Sequence, residues 1–311
     1  MTLTGPAPGE PDFRCAGASV LRDEPVAGTA STVRAFLLLE HPGPWGVDAL
    51  RDARLPDGLG ARLRAAGTEA GVRVLLVRRP GARPAGVDPW VFAAHADPHH
   101  PRLEGGRLRD LAQALDLDLA GLRAGRPSGL PSYDGSLLAV CTHGRHDACC
   151  AERGRPVARA LARAHPDETW EVSHIGGDRF AGNLLVLPHG LYYGRLEPAS
   201  ALAVAGAHLA GQLDLDHLRG RSGFAMPVQY AELALRRELA ETRVDALTLT
   251  ARALVEGSAS DGVTEAVFDV AGAAYAVRVR TTRGPEQHRL TCRAGRDNPV
   301  PRHELLGIVR R

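Results

Sequence analysis

The chain has 311 residues, 44% of them apolar, with 38 basic against 36 acidic side chains and a formal net charge of +2, a length that suits two or three domains and a sizeable core. Near-neutrality, without any cluster of basic residues interleaved with aromatics, excludes a bulk electrostatic binder of nucleic acid. No apolar run is long enough to span a bilayer, and the polar leader from Met1 to Asp12 carries Pro, Gly and acidic residues where an export signal would be basic and then apolar, so a soluble, cytoplasmic protein with no membrane association is expected.

In chain order, Val33 to Glu40 reads as a buried strand, followed by the turn-rich His41 to Gly46, a helical pattern over Leu59 to Ala66 and a second strand at Val72 to Val77. Val87 to Ala94 is a third strand and Leu108 to Leu115 a short helix, giving 1–132 a loop-rich α/β character. Leu137 to Val140 is an apolar strand running into Cys141. Ala151 to Ala164 is helical, with Pro156 as the expected first residue of its regular part. Strands follow at Thr169 to Ser173, Asn183 to Pro188 and Leu191 to Leu196, then a small-residue helix at Ala199 to Gly211. The order βαβ-ββα over 133–217 is the one expected of a thioredoxin-like module, in which the first βα loop presents side chains at a helix N-terminus. Beyond 217 the sequence reads as a small α+β appendage, 218–311, with a helix over Val228 to Glu256 and strands at Thr264 to Val270, Ala273 to Val279 and His288 to Cys292. It carries no chemical motif, and no internal repeat is visible anywhere.

Five cysteines, Cys15, Cys141, Cys149, Cys150 and Cys292, are an odd number in a long chain, which fits free thiols in a reducing compartment better than a disulfide framework. Three of them lie in the βα loop CTHGRHDACC, Cys141 to Cys150, with two histidines. A thiolate at a helix N-terminus is stabilised by the helix dipole and free amides, which favours metal ligation or redox chemistry. A second loop, SHIGGDRFAGN (Ser173 to Asn183), follows the next strand and so lies at the same sheet edge. Its two glycines make it a tight turn rather than a helix, so His174 and Asp178 can face one centre. Two thiolates, an imidazole and a carboxylate suit zinc, and equally an iron-sulfur cluster with non-thiolate ligands on one iron. Neither a zinc-ribbon nor a thioredoxin CxxC pair is present.

These residues resemble the sucrase/ferredoxin-like family. The motifs that carry the likeness are CAGAS (Cys15 to Ser19), EPVAGTA (Glu24 to Ala30), EHPGPWG (Glu40 to Gly46), CTHGRHDACCAERGRP (Cys141 to Pro156) and SHIGGDRFAGNLLVLPHGLYYG (Ser173 to Gly194). The resemblance implies a thioredoxin-like ferredoxin whose [2Fe-2S] cluster is held by two cysteines of the first loop and two histidines of an HxxxH loop. Cys141 and Cys150 match the thiolate positions and His174 the first histidine. The second histidine position is Asp178 here, so the fourth ligand is Asp178 as a carboxylate, or Cys149 or His143 in its place. A carboxylate leaves the centre more negative and lowers its reduction potential. Nothing in the sequence supports the sucrase half of the family's name, since no glycosidase-like pair of carboxylates is seen.

Around these ligands, Gly176 and Gly177 would let backbone approach the sulfides, Arg145 and Arg179 would neutralise cluster charge, and Asp147 would cap the helix. The arginines at 153, 155, 159 and 163 form a basic helix face suited to an acidic redox partner. The expected function is electron transfer rather than catalysis. Its alternatives are a thiol-disulfide oxidoreductase pairing Cys141 with Cys149 or Cys150, with His143 or His146 as proton acceptor, and a structural zinc protein.

Overall fold

A strand whose two faces are both apolar must be covered on both sides, and the strand Ala35–Glu40 is buried at every position. Phe36 and Leu38 enter one core, whereas Leu37 and Leu39 enter another beneath a helix. The computed structural model describes residues 13–81 and 86–311; the polar leader expected over 1–12 lies outside the described residues.

The elements in chain order are α1 (Cys15–Leu21), β1 (Ala35–Glu40), α2 (Ala49–Asp52), α3 (Leu59–Ala70), β2 (Arg73–Arg78), β3 (Trp90–His95), β4 (Arg102–Arg107), α4 (Leu119–Arg123) and β5 (Leu137–Cys141). There follow α5 (Ala148–Ala164), β6 (Thr169–Val172), β7 (Leu184–Leu187), β8 (Leu191–Tyr193), α6 (Pro198–Leu209), β9 (Leu218–Arg221), α7 (Met226–Leu239), β10 (Leu247–Gly257), β11 (Gly262–Val270), β12 (Ala273–His288) and β13 (Asn298–Arg310). The result is a mixed α/β protein. Nine strands form a curled sheet in the order β4-β3-β1-β2-β6-β5-β7-β8-β9, and β10 to β13 form a second, antiparallel sheet. Among the described residues no helix is long and apolar enough to cross a membrane.

The large sheet contains a repeat that the sequence conceals. In its first half β1 and β2 are parallel and joined through α2 and α3, with β3 antiparallel beside β1 and β4 antiparallel beside β3. The second half runs β5, α5 and parallel β6, then antiparallel β7 and β8. The two patterns are mirrored about the contact of β2 with β6, which is antiparallel and only two residue pairs long, Val77 with Val172 and Arg78 with Glu171. Because the overlap is confined to the C-terminal ends of β2 and β6, the loops leaving β1 and β5 meet near the centre of the sheet. Phe36, Phe92, Trp170, Leu185 and Tyr192, drawn from both halves, share one core inside the curl. The helices α5 and α6 cover the outer face of the second half with Val157, Leu161 and Val204.

Three expectations are corrected. Helix α5 begins at Ala148 and runs through Pro156, because the Asp147 side chain caps the Cys149 amide and thereby starts the helix. Such a cap contributes about 0.5–2 kcal/mol. Pro156 is exposed, and so is Glu152, whose carbonyl it leaves without an amide donor within the helix. The helix expected to reach Glu256 ends at Leu239 with Ala240 in the left-handed conformation, and Leu247–Gly257 pairs with β11 instead. There, the sheet partner overrides the helical preference of Ala, Leu and Arg. The strand expected over His288 to Cys292 ends at His288, leaving Cys292 in the connection to β13. Strand β13 itself, with Pro299 and Pro301, was not expected; it lies on the edge of its sheet, where a missing amide is tolerated.

Candidate metal centre

Strand β5 carries Cys141 as its last residue, fully buried, with the amide donating to the Asn183 carbonyl at 2.9 Å. The first turn of α5 supplies Cys150, and the chain leaving β6 supplies His174 and, in a single 3-10 turn, Asp178. Helix α5 sits low over β5 because residue 154 is glycine: a Cβ there would stand 2.0 Å from the Cys141 carbonyl oxygen. The donor atoms of Cys141, Cys150 and His174 all lie within 4.8 Å of one another, as do those of His146, His174 and Asp178. Cys150 Sγ is 3.2 Å from Asp178 Oδ1. His174 Nδ1 is 2.8 Å from the same oxygen, an ion pair within the loop. Two thiols and an imidazole therefore form one donor group, and the same imidazole joins it to a second that holds a carboxylate buried to 3% exposure, a donor set that fits a thiophilic metal centre.

Charge within the group is arranged by proximity. The Cys150 thiol donates toward Cys141 and, against the cost of burial, His174 adds its positive field, so the Cys141 thiol is held well below its ordinary range. Cys150 is correspondingly pushed up by Cys141 and by burial. Burial opposes the His174 charge, but Asp178 and Cys141 outweigh it and raise that imidazole to about 9. Asp178, although burial works against its charge, is held below the usual carboxylate range by His174 and His146.

His143 is not a ligand. Its Nδ1 accepts from the His174 amide at 3.2 Å, so Nε2 carries the proton and donates to the Gly46 carbonyl at 2.9 Å, leaving neither nitrogen for a metal. His146 stacks on His174 with ring centroids 3.8 Å apart, contacts the Val47 carbonyl through Nδ1, and places Nε2 3.8 Å from Asp178 Oδ2. Both contacts join the loop after β1 to the cysteine loop, as the mirrored halves of the sheet dictate. The cysteines face the interior, whereas His174 and His146 keep edges open to a groove of about 450 Å³ that Arg51, Arg64 and Arg73 also line.

Several sequence assignments move. Gly176 and Gly177 have positive φ, as a tight loop requires, but they face Ser31 and Arg219: Cβ atoms there would stand 2.5 Å from Ser31 Oγ and 2.3 Å from an Arg219 nitrogen. Arg179 points away from the centre, its Nε donating to Glu24 at 2.6 Å, and Arg145 is exposed. The arginines at 153, 155, 159 and 163 are exposed as expected. Cys149 lies against Cys292, with the two Sγ atoms 3.4 Å apart, on the other side of the loop. It is thus neither a partner for Cys141 nor the fourth ligand. All five cysteines are free.

Arg219 has a role that sequence reasoning missed. Fully buried, it donates to Gly176 O at 3.0 Å, to Asn183 Oδ1 at 2.8 Å and to Thr29 O at 2.6 Å, and so braces the loop bearing His174 and Asp178. Burial lowers it to about 10, which leaves it charged at neutral pH. Arg73 reinforces the same loop through the carbonyls of His174 and Ile175. Nothing in the short motif LRGR distinguishes a buried brace from a surface arginine.

A family model described as sucrase/ferredoxin-like matches residues 26–220, a span that takes in the whole centre. No curated protein and no solved structure matches the chain. With more than half of its length matched by that family model, the chain belongs to the sucrase/ferredoxin-like family.

Proposed function

We propose that this protein is an electron carrier whose [2Fe-2S] cluster is held by Cys141, Cys150, His174 and Asp178. The observation that carries the reading is the meeting at His174 of two donor groups, the thiols of Cys141 and Cys150 on one side and the Asp178 carboxylate, 2.8 Å from its Nδ1, on the other. A bound cluster of this type accepts and returns one electron. The protein's part is to keep Cys141 as thiolate, to fix His174 and Asp178 through the Arg219 brace, and to exclude solvent from the sulfur side while the imidazole edge stays open. That open edge is where a redox partner protein would dock. The sequence β5-α5-β6-β7-β8-α6 supports reading 133–217 as a thioredoxin-like module flanked by an α/β region and an α+β appendage. Free thiols in every described position suit a reducing compartment, the cytoplasm.

A second reading, a single zinc ion on the same residues, is favoured by one observation. The 2.8 Å and 3.2 Å separations of Asp178 Oδ1 from His174 and Cys150 are short enough for neighbouring ligands of one ion. Replacing neighbouring cysteines tests the assignment: Cys150→Ser is expected to lose the visible absorption and iron of the wild type, and Cys149→Ser to keep both. Equal loss in the two variants would overturn the ligand assignment. Zinc without iron in the wild type, removed by Cys150→Ser, would establish the second reading.

A further inference from the structure

A second group of donors lies behind the first. Cys15 opens α1, Asp147 caps α5, Cys149 stands in the first turn of α5, and Cys292 sits in the connection between β12 and β13. Their donor atoms all lie within 4.8 Å of one another. Cys149 Sγ is 3.4 Å and Cys15 Sγ 3.6 Å from Cys292 Sγ, and Cys15 Sγ is 3.7 Å from both Asp147 oxygens. Cys15, Asp147 and Cys149 are buried to 1% exposure or less, and Cys292 is half-buried.

These separations are far longer than the roughly 2.05 Å of a disulfide. They approach the edge of a zinc-thiolate tetrahedron, about 3.8 Å for Zn–S bonds of about 2.3 Å. Three thiols close on one carboxylate in a buried pocket, and a zinc ion would hold them as thiolates by offsetting their charge and that of Asp147. The nearby guanidinium groups are engaged by other partners, Arg14 by the exposed Glu152 and Arg289 by the Cys292 carbonyl at 2.6 Å. Both Asp147 oxygens accept backbone amides, from Cys149 at 2.9 Å and from Cys292 at 2.6 Å, and each keeps a lone pair for a metal. These amides hold the carboxylate in place as a metal ligand's hydrogen-bond partners do.

We propose that Cys15, Cys149, Cys292 and Asp147 bind one zinc ion, distinct from the centre formed by Cys141, Cys150, His174 and Asp178. With four protein ligands and no open position it is a structural site. It ties three remote segments together, the helix that starts at residue 15, the N-terminus of α5 and the β12–β13 connection, and it does so next to Cys150, a ligand of the first centre. Release of zinc would therefore free the β12–β13 connection from α1, while the Asp147 cap on the Cys149 amide still holds the start of α5.

The test is zinc content of the full chain by elemental analysis, with visible absorption followed in the same samples. Wild type and Cys141→Ser are expected to hold one zinc per chain that Cys15→Ser and Cys292→Ser lose, while Cys292→Ser keeps whatever visible absorption the wild type has. A wild type without zinc overturns the proposal. So does zinc that survives in both Cys15→Ser and Cys292→Ser, or a Cys149–Cys292 disulfide found by mass spectrometry in protein isolated under reducing conditions. Should Cys15→Ser and Cys292→Ser fail to fold, Co²⁺ exchanged into the Cys141→Ser/Cys150→Ser protein, which keeps no thiol of the first centre, is the readout: thiolate-to-cobalt absorption supports the site, and its absence overturns it. Because Cys141 and Cys150 belong to the first centre and to none of the second, failure of the electron-carrier reading, on which the zinc site does not depend, would not resemble failure of the zinc site.

Discussion

Replacing Glu232 by glutamine is expected to destabilise the protein by about 3–5 kcal/mol, measured by denaturant unfolding, because it leaves two buried guanidinium groups without a counter-charge. Glu232 lies on α7, with Oε1 2.8 Å from Arg221 Nε on β9 and 3.0 Å from Arg236 one helical turn away. Both arginines also donate to the Val244 carbonyl, and Arg236 to Arg243 O at 2.7 Å. One carboxylate thus joins the last strand of the large sheet to the helix that carries the second sheet. The pH dependence has a defined sign. Burial works to raise the Glu232 carboxyl, but Arg221 and Arg236 prevail and hold it below its ordinary value. Its contribution is complete above the unfolded-state value, about 4.3, and is lost as pH falls through the lower folded value. The stability gap between wild type and Glu232→Gln should therefore be widest near neutrality and narrow in acid. A variant within about 0.5 kcal/mol of wild type at pH 7 would mean that the triad is not a determinant of stability.

If the proposed cluster is held as inferred above, the substitution Asp178→His is expected to raise its reduction potential by on the order of 100 mV, because a neutral nitrogen would replace an anionic oxygen ligand. A redox titration of the two proteins measures it, and the reduced-state EPR spectrum should shift with it. An unchanged midpoint would remove Asp178 from the ligand set and direct attention to His146, whose Nε2 stands 3.8 Å from the Asp178 carboxylate.

The placement of the candidate ligands was legible in two short loops: Cys141 at a strand end, Cys150 at a helix start, and His174 and Asp178 across a glycine turn occur where local patterning put them. What escaped was set by tertiary packing. Cys149 and Cys150 are neighbours in sequence, yet successive helical residues point about 100° apart, so one meets Cys141 and the other Cys292. Cys292 reads only as the end of a strand because its partners are far away in the chain. His143 looked like a spare ligand until both its nitrogens were found on backbone groups. In the fold, the central strands and α3, α5 and α6 followed from apolar periodicity. The tail did not, since Ala, Leu and Arg in Leu247–Gly257 serve a strand when β11 supplies the partner. The mirrored repeat of the large sheet left no sequence trace because it is a repeat of connection, with different side chains filling each half.

Iron and acid-labile sulfide per chain, determined on protein purified without oxygen and accompanied by the visible and EPR spectra, address the central claim directly. A [2Fe-2S] centre on Cys141, Cys150, His174 and Asp178 predicts two irons and two sulfides in a brown protein that gains an EPR signal on one-electron reduction. A colourless protein free of iron and sulfide, with zinc as its only metal, would contradict it.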